Sequence, residues 1–130
     1  MARRALLLIA APTLFMALAS ALALLFLPHP VPRNAPEPTR LWLRNCATCH
    51  GADGGGSWRA TLLLMRPGDL RDPARLTPLP DDYLFTLIQQ GGATLGKPGM
   101  PAFGYHLTPE QVSALVRYVR ELPARSATRR

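Results

Sequence analysis

The sequence predicts an all-α fold, with three to five short helices behind one long apolar N-terminal helix. Three observations carry that reading. Residues 5–27 form an unbroken run of 23 uncharged residues. Farther on, apolar residues recur at helical spacing, most clearly at Val112, Leu115, Val116, Val119 and Leu122. No segment alternates apolar and polar residues as a half-buried strand would, and no internal repeat is visible.

The N-terminal run follows Arg3 and Arg4. A helix of that length crosses a hydrocarbon layer of about 30 Å, and Pro12 in its first half is tolerated there. A secretory signal would instead be cut after Ala17-Leu18-Ala19 or Ala21-Leu22-Ala23, leaving the apolar residues 24–27 at the new N-terminus. The uninterrupted run favours an uncleaved membrane anchor over residues 1–27, a single transmembrane helix. The two arginines ahead of it stay in the cytoplasm, so on either reading the rest of the chain faces outward. Residues 28–38 hold five prolines in eleven positions. Such a stretch enters neither a helix interior nor a central strand. It reads as an extended linker of about 30 Å at full reach.

Residues 39–123 then make one domain of about 85 residues, marginal for a self-sufficient core. Thr39 can cap a short helix over residues 39–46, with Leu41, Trp42 and Leu43 as its apolar content. Residues 51–56 are a loop by composition, without the lysine or the strand–helix frame of a phosphate-binding loop. Residues 60–65 read as a second short helix. Asp81 suits the cap of a helix that stops at Gly91-Gly92, with Leu84, Leu87 and Ile88 on its apolar stripe. Capping and dipole complementarity explain Asp81 and Asp82 more cheaply than acid–base catalysis does. Residues 93–106 are poor in helix signals, with glycines at 96, 99 and 104 and prolines at 98 and 101. Thr108-Pro109-Glu110-Gln111 is a capping box that opens a last helix, stopped after Leu122 by Pro123. Tyr118 on that helix is placed to meet Trp42 or the edge of a bound group. Residues 124–130 form a basic tail.

The formal charge is +7, and the only lysine is Lys97. No basic run interleaves with aromatic residues, which excludes a nucleic-acid partner. The excess suits anionic lipid or an acidic protein.

The stretch that carries chemistry is Cys46-Ala47-Thr48-Cys49-His50-Gly51. Two thiols three positions apart, with a histidine after the second, form the spacing for covalent attachment of a c-type haem. The cysteines suit thioethers to the two vinyl groups, and His50 suits one axial position on the iron. A structural zinc site wants four ligands, and the chain has 2 Cys and 3 His. A redox dithiol would need a βαβ setting, and a disulfide leaves His50 unexplained. Trp58, Arg59 and Arg66 are candidate partners for the haem propionates, since all three donate hydrogen bonds, and the short helix over residues 60–65 reads as lying under the haem.

With Gly99-Met100-Pro101-Ala102-Phe103-Gly104 downstream and the final amphipathic helix, the motif resembles the class I monohaem c-type cytochromes, from about residue 39 to residue 123. The resemblance implies a cytochrome c-like fold around one covalent haem c. It implies Cys46, Cys49, His50 and Met100 as the cofactor-binding residues, with His50 and Met100 as the iron ligands; Met65 and His106 are the fallbacks for the sixth position. Trp42 occupies the aromatic position that packs on the last helix. Pro38 stands where a small residue lets two helices cross closely, a departure that bears on the tightness of that crossing. Pro67 matches a proline whose carbonyl accepts from the far nitrogen of the ligand histidine. The implied function is one-electron transfer between respiratory or dehydrogenase complexes, with redox proteins as partners and no catalytic residues or small-molecule substrate. A fixed subunit of a membrane oxidoreductase, or an enzyme or sensor with an open sixth position, are the other readings. Such cytochromes acquire haem outside the cytoplasm, which agrees with a domain facing the periplasm or exterior from an anchor in the cytoplasmic membrane.

Overall fold

The computed structural model describes residues 2–128, with side chains of the N-terminal helix from Ile9 to Leu24. Among the described residues seven α-helices follow one another, six behind the first where the sequence predicts three to five: α1 (Ala2–Phe26), α2 (Glu37–Asn45), α3 (Ala47–His50), α4 (Trp58–Leu62), α5 (Pro73–Leu76), α6 (Asp81–Gln90) and α7 (Pro109–Ala127). A 3-10 turn, Ala93–Leu95, lies between the last two. Among the described residues there is no strand, as the absence of period-two patterning requires.

In α1 every described side chain is exposed. Among the described residues no helix is long and apolar enough to cross a membrane. The proline-rich stretch is more ordered than a plain tether. Ala35 is buried, and its N–H reaches the Pro32 carbonyl at 3.1 Å.

Helix α2 begins at Glu37, two residues ahead of the expected Thr39 cap, and has no side-chain cap. Pro38 in the first turn has no N–H to satisfy, so the cap is dispensable. The core lies where α2 and α6 pack on α7: Trp42, Leu84, Ile88, Val112, Leu115, Val116, Tyr118, Val119 and Leu122 are all buried there. Trp42 is 1% exposed and stacks on Tyr118, ring centroids 5.4 Å apart. The pairing expected from the last helix is therefore present. Beside it a groove of about 140 Å³ runs past Pro36, Pro38, Ala114 and Arg117, while Gln111 Nε2 donates to Glu37 Oε1 at 3.4 Å between the starts of the two helices.

Helix α7 opens as the sequence requires. Thr108 Oγ1 accepts from Gln111 N at 3.3 Å, and Gln111 Oε1 accepts from Thr108 N at 3.1 Å. Its end corrects the expected stop at Leu122: the helix runs through Pro123 to Ala127. Proline costs one N–H bond, but the turn after it is tied by Ser126 Oγ to the Pro123 carbonyl and by Arg125 to Glu121. The guanidinium of Arg125 also lies 4.6 Å from the Tyr118 ring. The basic tail is thus mostly helix; residues 129 and 130 fall outside the described residues.

Asp81 is the first residue of α6 rather than its cap, which falls on Pro80. Its carboxylate accepts from Arg120 Nε at 2.8 Å, while the rest of that guanidinium donates to the carbonyls of Leu76 and Leu79. Arg120 thereby holds the α5–α6 connection against α7. Helix α4 lies two residues earlier than expected because Ser57 caps it, accepting from Arg59 N at 3.2 Å.

Candidate functional site

The attachment motif is wound into a single helical turn. The N–H groups of Cys49 and His50 both reach the Cys46 carbonyl, at 3.1 and 2.9 Å. Cys46, Cys49 and His50 therefore stand at positions i, i+3 and i+4 and share one face. Both thiols are free, Cys46 buried and Cys49 half-buried. Burial, with Cys49 as a second cause, pushes the Cys46 thiol up to about 12. Burial also holds the His50 imidazole below its ordinary range, in the neutral form that can ligate a metal.

The turn is fixed from both ends. Trp42 Nε1 donates to the carbonyls of Gly51 and Ala52, at 3.2 and 3.1 Å, and its ring lies 6.0 Å from that of His50. Gly51 has φ +78°, and a Cβ there would lie 2.5 Å from the Gly56 carbonyl oxygen, so the position takes only glycine. The glycine loop then folds back on the motif: Gly56 N donates to the His50 carbonyl at 2.7 Å and Ser57 N to the Cys49 carbonyl at 3.0 Å. Arg71 clamps this loop by pairing with Asp53 and Asp69, at 2.8 and 2.9 Å. Asp53 is held below the usual carboxylate range chiefly by the Gly55 N–H, and Asp69 chiefly by Arg71. Neither Arg71 nor Arg120 stood out in the sequence, since arginines are spread along the whole chain.

Met100 lies half-buried against the core cluster to which Trp42 and Cys46 belong. Its loop closes on itself, with Gly92 N donating to the Met100 carbonyl at 2.9 Å and Met100 N to the Lys97 carbonyl at 3.0 Å. Gly91 makes the closure possible: its φ is +79°, and a Cβ there would lie 2.8 Å from Ala102 N. Met65 is also at this loop, its Sδ 3.4 Å from where a Cβ on Gly99 would sit. His106 is exposed and engages Asn45 Oδ1 at 3.3 Å. Lys97 is exposed beside the loop.

One expectation needs correction. Pro67 does not accept from His50; the buried Nδ1 of His50 has no hydrogen-bond partner. The segment around Pro67 is pinned elsewhere, by Met65 N to the Ala60 carbonyl and Leu70 N to the Gly54 carbonyl. Of the propionate candidates, Arg59 is partly committed, with Nη1 on the Leu27 carbonyl at 2.5 Å. Trp58 and Arg66 are exposed.

These residues fit a haem. The motif face carries two free thiols and a neutral imidazole whose buried nitrogen lacks a partner. Leu70, Leu79, Tyr83, Phe85, Met100 and Phe103 pack on the core yet stay only partly buried, an apolar lining such a group can cover. The sequence model of the family described as cytochrome C oxidase, cbb3-type, subunit III matches residues 33–119. The chain belongs to this cytochrome c family. A solved structure, the KustC0563 c-type cytochrome, is 32% identical, with a TM-score of 0.56. The match covers 65% of this chain and 95% of that one. No curated protein matches. As a c-type cytochrome, the chain carries covalently bound haem c with its iron, and its chemistry is haem-based electron transfer.

Proposed function

We propose that the chain is a membrane-anchored one-electron carrier whose iron is held between His50 and Met100. The observation that carries this is the helical turn that puts both thiols and the neutral, half-buried His50, with its buried Nδ1, on one face. When bound, the haem supplies a ferrous/ferric couple. Cys46 and Cys49 are the only cysteines and hold it covalently. The carbonyls of Cys49, His50, Gly51 and Ala52 are all engaged, which keeps the ligand turn rigid. Met100 sits on a closed loop bracketed by prolines, so little entropy is lost when its sulfur ligates. With His50 and Met100 both bound, the iron would have no open site for a substrate.

The anchor is α1, with Arg3 and Arg4 in the cytoplasm and the haem domain on the periplasmic or outer face. Supporting this are the 23 uncharged residues of the run and the exposure of every described α1 side chain. Residues 28–38 link anchor and domain. Donor and acceptor are redox proteins of a respiratory or dehydrogenase chain. The family's description names an oxidase subunit, which supports a second reading as a fixed subunit of a membrane complex. Purification in mild detergent separates the two, since a fixed subunit brings its partners with it.

Ligand binding tests the axial assignment. Wild-type ferrous protein should resist carbon monoxide, Met100→Ala should bind it readily, and Met65→Ala and His106→Ala should behave as wild type. Equal binding by wild type and Met100→Ala would refute the closed sixth position. Opening by His106→Ala alone would make the haem bis-histidine.

A further inference from the structure

We infer that the face formed by α4 and the turn after it, residues 58–66, is a seat on the surface of an anionic lipid bilayer. This rests on α1 being a membrane anchor. Trp58 is 60% exposed, Leu62 60%, Leu63 57% and Leu64 92%. None of the four joins the partly buried residues that pack on the core, unlike the apolar lining assigned to the haem. Leu64 is also the only described non-glycine residue with positive φ, at +57°. That conformation is uncommon for a bulky side chain, and here it is used to hold a leucine out in solvent.

Three features commit this face to lipid. First, it adjoins the anchor: Arg59 on α4 donates to the carbonyl of Leu27, one residue past the end of α1. Second, its charge has one sign. Between Asp53 and Asp69 the only charged residues are Arg59 and Arg66, and both acids are occupied by Arg71. Third, the composition suits the boundary between headgroups and acyl chains. Trp58 offers an apolar ring with an N–H, and Arg59 lies over that ring at 5.7 Å. Leucines can enter the acyl boundary while guanidinium groups stay with lipid phosphates.

Spin-label depth measurement on the full-length ferrous holoprotein tests this. Cys46 and Cys49 are consumed by thioethers, so one added cysteine is the only free thiol. Labels at Leu64→Cys, at Ala17→Cys in α1 and at the exposed Arg117→Cys are compared in nanodiscs of phosphatidylglycerol with phosphatidylcholine. Relaxation by oxygen is read against relaxation by a water-soluble nickel chelate. The Leu64 label should lose chelate access and gain oxygen access, like the Ala17 label and unlike the Arg117 label. It should regain chelate access in Arg59→Gln/Arg66→Gln, or when phosphatidylcholine alone is used. A Leu64 label as open to chelate as Arg117, with Ala17 still in the bilayer, would overturn the seat and leave the anchor standing. Ala17 in water would overturn the anchor, and the seat with it. A Leu64 label shielded from chelate and oxygen alike, in nanodiscs and in detergent, would mean that the haem or the protein covers this face, and would also overturn the seat.

Discussion

Trp42→Phe isolates the bond that joins the helix crossing to the ligand turn. Phenylalanine keeps a ring against Tyr118 and removes the N–H that serves the carbonyls of Gly51 and Ala52. Ala52 is exposed, so its carbonyl can turn to water, and the buried Gly51 carbonyl keeps the longer bond from Gly54 N at 3.3 Å. The loss is therefore that of an ordinary hydrogen bond, about 0.5–1.5 kcal/mol. In a domain of this size that lowers the midpoint of thermal unfolding by about 6 °C. Trp42→Ala adds the lost packing of a side chain only 1% exposed, for a total of about 3–5 kcal/mol, a large share of the ~5–15 kcal/mol that holds a domain folded. Guanidinium unfolding of the ferric holoprotein measures both, because the covalent haem stays with the chain. Tyr118→Leu and the double variant complete a cycle in which the ring pair alone should couple by about 0.5–1.5 kcal/mol. A Trp42→Phe protein as stable as wild type to within ~0.5 kcal/mol would show that the indole N–H holds nothing.

Changing Cys46 and Cys49 together to Ala should abolish covalent haem, read as loss of the haem-stained band on denaturing electrophoresis. Acid should loosen the glycine loop: Asp53 and Asp69 are held below the usual carboxylate range in the fold, so their pairing with Arg71 is complete above that range and lost as pH falls through the depressed values. The stability gap between wild type and Arg71→Gln should therefore shrink as an unfolding series moves from pH 6 towards pH 2. Gly91→Ala should strain the Met100 loop, visible as weakening of the methionine–iron charge-transfer band while haem stays attached, because a Cβ there meets Ala102 N at 2.8 Å.

Where the sequence is self-sufficient, its reading survives in the structure. The capping box at Thr108, the stop at Gly91 and the apolar stripe of α7 rest on contacts within a few residues, so spacing alone reveals them. The motif is legible for the same reason: one helical turn brings Cys46, Cys49 and His50 together whatever the rest of the chain does. What escaped depends on partners far away. Arg120 holds Asp81 and the carbonyls of Leu76 and Leu79 across some 40 positions, and nothing beside Arg120 in sequence marks it. Pro123 misled because a proline is a stop signal locally, while the burial of Leu122 and the ring contact of Arg125 with Tyr118 carry the helix on. The Pro67 assignment came from resemblance alone, and the bonds of Met65 and Leu70 place that segment differently.

The distribution of rigid contacts also bears on how the site is assembled. The buried Cys46 thiol is held protonated, whereas a thiol that is to react must be reached while accessible. In the folded chain Trp42, Gly51 and the returning glycine loop close over the motif, and the contacts that bury the thiol also fix the turn. The Met100 loop is different in kind: its bonds run from Gly92 to Lys97 and Met100, within the loop itself. It can close independently of the motif, so Met100→Ala should leave the α2–α7 core and the covalent attachment intact.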